Sequence, residues 1–190
     1  MSDQKLLQQF VEAFQRFDEM FAPDGTPVEL LIEQKVDEWD SWRNELKWQP
    51  KFIETSPEKL APLYSRIAGR FPLLYEQLVL SFRWLEVDLK VIRLLGNPPG
   101  PDFTDLTQAI FNDPVIADVL IPAGFIPFAR SSINYDPICF DLNAMSRQRD
   151  CPIIQFEHEA ILCHLKIGDY WKRWTSFRDL MTKVIFQDYE

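Results

Sequence analysis

Leu6, Leu7, Phe10, Phe14, Phe17 and Phe21 recur every three or four positions with Gln, Glu and Arg between them, a spacing that predicts an amphipathic helix over residues 3–21. Pro23-Asp24-Gly25 closes it, and Thr26-Pro27-Val28-Glu29 supplies the cap, first-turn proline and third-position acid that open a second helix. Ser56-Pro57-Glu58 starts a third helix through Leu60, Leu63, Tyr64 and Ile67 towards Gly69, and Phe71-Pro72 starts a fourth. The pattern turns β-like at residues 84–95 and is then broken by Asn97-Pro98-Pro99-Gly100-Pro101, a loop with few amide donors that reads as a hinge. Residues 103–109 read as another helix, while residues 115–120 fit either a helix or an extended segment.

The C-terminal half changes period. Residues 125–129, 138–142 and 153–160 are short β-prone runs between polar turns, which predicts an antiparallel meander. In the last run Ile154, Phe156, His158 and Ala160 fall on one face and Gln155, Glu157 and Glu159 on the other, as in a half-buried strand. Trp171, Trp174, Phe177, Met181 and Ile185 return to helical spacing, predicting a terminal helix over residues 171–186 with both tryptophans in the core. The expected fold class is α+β: N-terminal helices packed on a twisted, mostly antiparallel sheet built from residues 84–160, with a C-terminal helix. The expected division is an N-terminal helical segment, residues 1–69, packed on a main α+β domain, residues 70–190.

Composition narrows the function classes. At 190 residues, 46% hydrophobic and 14% aromatic, the chain has enough apolar material for one substantial core. No apolar run approaches the roughly 20 residues of helix that cross a bilayer, so no membrane association is expected. Residues 1–5, Met-Ser-Asp-Gln-Lys, lack the basic head and apolar run of an export signal, and the odd count of 3 cysteines suits a reducing compartment; both predict a cytoplasmic protein. The net charge is −9, and no Lys/Arg stripe is present to release counterions from nucleic acid, so nucleic-acid binding is disfavoured and a basic protein partner is favoured.

Candidate chemistry is sparse. His158, His164, Cys151 and Cys163 are zinc-type ligands within fourteen positions, but their spacing matches no finger, ribbon or knuckle, so neither metal nor cofactor is expected. Asp141, His158 and a cysteine could be combined as acid, base and nucleophile, yet no nucleophile elbow, metalloprotease, Walker or dinucleotide motif occurs, and the expectation is a protein without catalytic residues. Trp39, Trp42 and Trp48, set among Asp37, Glu38, Asp40 and Glu45, read as an exposed patch of apolar anchors and acids, the leading candidate for partner binding. Asp136 and Asp141 at a sheet turn, with Glu157 and Glu159, form the second candidate.

Four ordered segments carry a resemblance: Gly124-Phe125-Ile126-Pro127-Phe128-Ala129, Asp136-Pro137-Ile138-Cys139-Phe140-Asp141, Cys151-Pro152-Ile153-Ile154-Gln155-Phe156-Glu157-His158-Glu159 and Ser176-Phe177-Arg178-Asp179-Leu180. With Phe71-Pro72-Leu73-Leu74-Tyr75-Glu76-Gln77-Leu78, they resemble the SUKH superfamily, which includes the yeast cell-wall-assembly regulator and many bacterial immunity proteins. The chain departs from that pattern at Ser81-Phe82-Arg83-Trp84 and at residues 131–136, where the family carries glycine-rich turns, and residues 1–60 have no counterpart. The resemblance implies an α+β fold that binds protein without catalysis, typically neutralising a toxin encoded beside it. An intracellular scaffold or regulator is the alternative, and a small hydrolase with an unseen acid–base pair is a further one.

Overall fold

A computed structural model describes residues 2–32, 46–67 and 69–186. Among them the chain forms seven α-helices, a six-stranded antiparallel sheet and a separate two-stranded sheet, an α+β architecture. The helices are α1 (Asp3–Glu12), α2 (Ala61–Ile67), α3 (Leu73–Ser81), α4 (Thr104–Ile110), α5 (Pro114–Leu120), α6 (His158–His164) and α7 (Phe177–Phe186). Strands β1 (Lys51–Phe52) and β2 (Phe82–Arg83) pair with each other. The main sheet is a meander in chain order: β3 (Val87–Asp88), β4 (Ile92–Leu94), β5 (Phe125–Ser131), β6 (Pro137–Asp141), β7 (Ile153–Phe156) and β8 (Tyr170–Trp174). No helix among the described residues is long and apolar enough to cross a membrane.

Helices cover both faces of this sheet at its centre, which explains why β5, β6 and β7 are buried along most of their length. On one face Ile138, Phe140, Ile153 and Trp174 join the main core with α1, α3 and α7. On the other, Cys139, Ile154 and Phe156 meet Leu120 of α5 and Ile161 of α6 in a smaller core. The main core centres on aromatics. Phe128 and Phe140 stack with centroids 4.0 Å apart, Tyr75 meets Phe177 edge-on at 5.2 Å, and Phe10 meets Phe177 at 5.9 Å. Each fully buried ring of this kind contributes about 1.5–3 kcal/mol. The phenolic Oη of Tyr75 is buried there with no hydrogen-bond partner among the described residues, and burial raises its pKa far above the ordinary value.

Several expected elements change at their ends. The first helix stops at Glu12 and tightens into a 3-10 turn at Phe14–Arg16, and the helix expected from residue 26 is, among described residues, a 3-10 turn at Val28–Leu30. The strand expected over residues 153–160 ends at Phe156; Gln155 is buried with the rest of β7 because helices lie on both sides, and His158 opens α6. The helix expected from residue 171 begins at Phe177, where Ser176 Oγ accepts from Asp179 N at 3.0 Å and Asp179 Oδ2 accepts from Thr175 N at 3.0 Å, a reciprocal cap. Trp174 is buried, but Trp171 stands on β8 half-exposed, not in the core. Trp48, expected at the surface, is buried, with its backbone N–H donating to Met20 O at 2.9 Å.

The expected hinge at residues 97–101 is anchored at its first residue. Asn97 is buried, exchanges backbone bonds with Trp84, and donates from Nδ2 to Val79 O at 2.9 Å and Phe82 O at 2.8 Å. Arg83 donates to the same two carbonyls and to Thr55 Oγ1, with its guanidinium 4.8 Å from the centre of the Phe103 ring. Burial lowers its pKa to about 10. A cation at the C-terminal end of α3 meets the negative end of the helix dipole, which compensates part of that burial.

Candidate functional site

The residues most capable of chemistry meet where the turn before β6 approaches the start of α6. Ile138 on β6 lies opposite Gln155 on β7, so Asp136, just before β6, is brought beside the residues that follow β7. Asp136 is 1% exposed and its carboxylate accepts four hydrogen bonds. Oδ2 accepts from Asn134 Nδ2 at 2.7 Å and Gln155 Nε2 at 2.8 Å, and Oδ1 accepts from His158 N at 3.1 Å and His158 Nδ1 at 2.7 Å. Burial alone would raise this carboxyl, but the hydrogen bonds from His158, Gln155 and Asn134 outweigh it and hold the pKa below its ordinary value. A carboxylate only accepts, so Nδ1 carries the hydrogen in this contact. The network continues outward, since Arg173 Nη1 donates to Gln155 Oε1.

This geometry makes Asp136 a capping group supplied from outside the helix. It satisfies the first N–H of α6 and places a negative charge at the positive end of the helix. It also ties together three elements distant in sequence: the turn at residues 131–136, β7 and α6. Among described residues, Asp136 is the sole side-chain hydrogen-bond partner of His158, so the pair has the orienting half of an acid–base relay and no hydroxyl or thiol aligned with it.

The second acidic candidate therefore divides. Asp136 faces inward and is not a surface acid. Asp141 lies at the other end of β6, where it caps the turn at Leu142–Ala144 by accepting from Asn143 N at 3.1 Å. Five strand residues, roughly 16 Å, separate the two ends. Glu157 and Glu159 do share a neighbourhood, at the first turn of α6, with Glu157 half-buried and Glu159 exposed. The first candidate, Asp37, Glu38, Trp39, Asp40, Trp42 and Glu45, lies outside the described residues.

The cysteine and histidine candidates do not converge. Cys139 is buried in the small core, where burial raises its thiol well above the ordinary value; Cys151 is buried at the entrance to β7, where burial and the charges of Asp150 and Asp141 push it up to about 12. Such thiols are not ready nucleophiles. Cys163 and His164 are exposed on α6. Among described residues no three His, Cys, Asp or Glu side chains are grouped to hold a metal.

One buried ionic cluster had no forerunner in the sequence. Glu76, on the first turn of α3, accepts from Arg149 Nη2 at 2.8 Å, from Tyr64 Oη, and from Arg70 Nη2 at 3.4 Å, while Arg149 also donates to Phe71 O at 3.0 Å. Burial opposes the charge, but the hydrogen bonds from Arg149 and Tyr64 and the charges of Arg149 and Arg70 hold Glu76 below the ordinary carboxylate range. Burial and this carboxylate raise the Tyr64 phenol far above its ordinary value. A glutamate inside an apolar helix is the signal that could have pointed to it.

Two details give the quoted motifs a physical basis. Gly124 has φ +86°, and a Cβ there would stand 2.6 Å from Asn143 Oδ1, so glycine is required before β5. Pro127 sits where β5 shifts register against β6. Neither a protein-family model nor a curated protein matches the chain.

Proposed function

We propose that this chain is a protein-binding domain of the immunity type, which neutralises a basic toxin by occupying the surface that the toxin uses to grip phosphates. One observation carries the preference for binding over catalysis: Asp136, the carboxylate best placed for acid–base work, has all four of its short contacts committed to holding a turn, a strand and a helix together. The kind of partner follows from the net charge of −9 and from the resemblance to the SUKH superfamily. A nuclease toxin must be basic to bind nucleic acid, so an acidic inhibitor is steered to it and competes directly with its substrate.

Titration of the chain against a basic nuclease encoded beside its gene tests this reading. Binding that weakens with added salt, and loss of nuclease activity in the complex, are expected. Replacing Asp37, Glu38 and Asp40 with Asn, Gln and Asn, and in a second variant Glu157 and Glu159 with Gln, assigns the surface through the change in association rate. Absence of binding, or a hydrolytic activity that His158→Ala abolishes, overturns the proposal.

A further inference from the structure

The outer edge of the main sheet is built differently from its other strands. Among the described residues β8 is the last strand in the sheet order, and residues 169–173 are all exposed, with Tyr170 62% and Trp171 48% accessible. An exposed edge of this length, carrying two aromatic side chains, offers its free N–H and C=O groups to another strand.

The backbone fixes which groups are free. Glu157 N donates to Asp169 O at 3.0 Å, so Asp169 points its peptide groups towards β7. Alternation along an antiparallel ladder then turns Trp171 inward, opposite its partner Gln155, and leaves the N–H and C=O of Tyr170 and Lys172 facing outward. The side chains of Asp169, Trp171 and Arg173 share one face, where Arg173 reaches Gln155, and Tyr170 and Lys172 share the other, where Tyr170 lies 5.6 Å from the Phe156 ring.

The geometry points to a second copy of this chain as the occupant, paired antiparallel through β8 about a twofold axis at Trp171. In this register Trp171 packs on Trp171 of the other copy, and Asp169 faces Arg173 on both sides of the axis. Tyr170 and Lys172 exchange backbone hydrogen bonds, with the ammonium of one placed beside the ring of the other. The neighbouring registers lose this match. A shift that centres Lys172 opposes two lysines, and a shift that centres Tyr170 sets Trp171 against Asp169 and leaves Arg173 without an acid. The charges at positions 169 and 173 are opposite in sign and straddle Trp171, which is the arrangement an isologous interface needs. Lysines and a bulge can also protect an edge from pairing, and β8 has a register irregularity opposite Ile153 and Ile154. That alternative predicts a monomer.

Sedimentation velocity on the full chain, over a concentration series reaching roughly 0.1 mM, distinguishes them. The expected result is a dimer of twice the chain's mass. Asp169→Arg sets arginine against arginine and raises the dissociation constant roughly tenfold, and D169R/R173D restores it because the pairs re-form with exchanged signs. Lys172→Pro removes an outward N–H while sparing the β7 ladder, and abolishes the dimer; thermal unfolding of each variant confirms that it folds. A wild-type monomer throughout the series overturns the proposal. A dimer indifferent to both Asp169→Arg and Lys172→Pro overturns the β8 interface, and failure of the double exchange to restore a dimer weakened by Asp169→Arg overturns this register.

Discussion

Glu76 and Asp136 are both buried carboxylates held below their ordinary pKa, yet they are stabilised by different means. Glu76 is neutralised by charge, with Arg149 and Arg70 beside it and the Tyr64 hydroxyl completing its shell. Asp136 is stabilised mainly by hydrogen bonds from an asparagine, a glutamine, a backbone N–H and a histidine ring. Each solution suits its place. Glu76 joins α3 to the segment around Arg149, where two partly exposed guanidinium groups reach in to meet it and keep much of their own hydration. Asp136 is the more fully buried of the two, where polar groups from three elements converge and a helix start supplies a positive potential.

Removing the carboxylate separates the two cases. Glu76→Ala leaves Arg149 without its short partner and is expected to cost about 3 kcal/mol, the low end of the range for breaking a buried ion pair because Arg149 is partly exposed and keeps its bond to Phe71 O, read by chemical denaturation. Asp136→Ala leaves neutral donors unpaired and is expected to cost about 1–3 kcal/mol, with faster amide exchange over the first turn of α6 while exchange in α3 is unchanged. A larger loss at Asp136 than at Glu76 would reverse the ranking of charge over hydrogen bonding.

Acid is the next test. Both groups have folded pKa values depressed below their unfolded values, so their contribution is fully present above the unfolded value of about 4 and is lost as pH falls through the folded value. Wild-type stability is expected to fall below about pH 4, and Glu76→Gln combined with Asp136→Asn should flatten that slope while lowering stability at pH 7. The smallest effect belongs to His158→Ala, which removes one donor of four and is expected to cost about 1 kcal/mol. An equal loss at His158 and Asp136 would mean that the ring, and not the whole shell, carries the Asp136 site.

The same two places mark how far residue patterns reach. The helices that follow Ser56-Pro57 and Phe71-Pro72 and the meander strands were readable because proline and period are local signals, although the first opens as a 3-10 turn at Pro57–Leu60 before α2 and Ser56 makes no side-chain cap bond. Residues 153–160 read as one alternating strand because Gln155 and Glu157 looked solvent-facing, whereas Gln155 is buried to serve Asp136. Trp171 and Trp174 mimic a helical interval of three because the bulge sets Trp174, not Arg173, opposite Ile153. Asp136 itself looked like a turn acid among Ser131, Ser132 and Asn134. Its burial depends on β7 returning beside β6, a fact of pairing that no local window contains.

The contact between α1 and α7 bears on how the molecule is made. Asp3 binds Arg178 at 2.5 Å, and Arg16 donates to Val184 O at 2.8 Å across 168 positions of chain. A ribosome working at about 5–20 residues per second delivers Arg16 roughly ten to thirty seconds before Val184. For most of that interval Phe10 has been synthesised, but Phe177, whose ring it packs against, has not. The nascent chain therefore carries the apolar face of α1 uncovered until α7 has been translated, a face open meanwhile to chaperones that bind exposed hydrophobic surface.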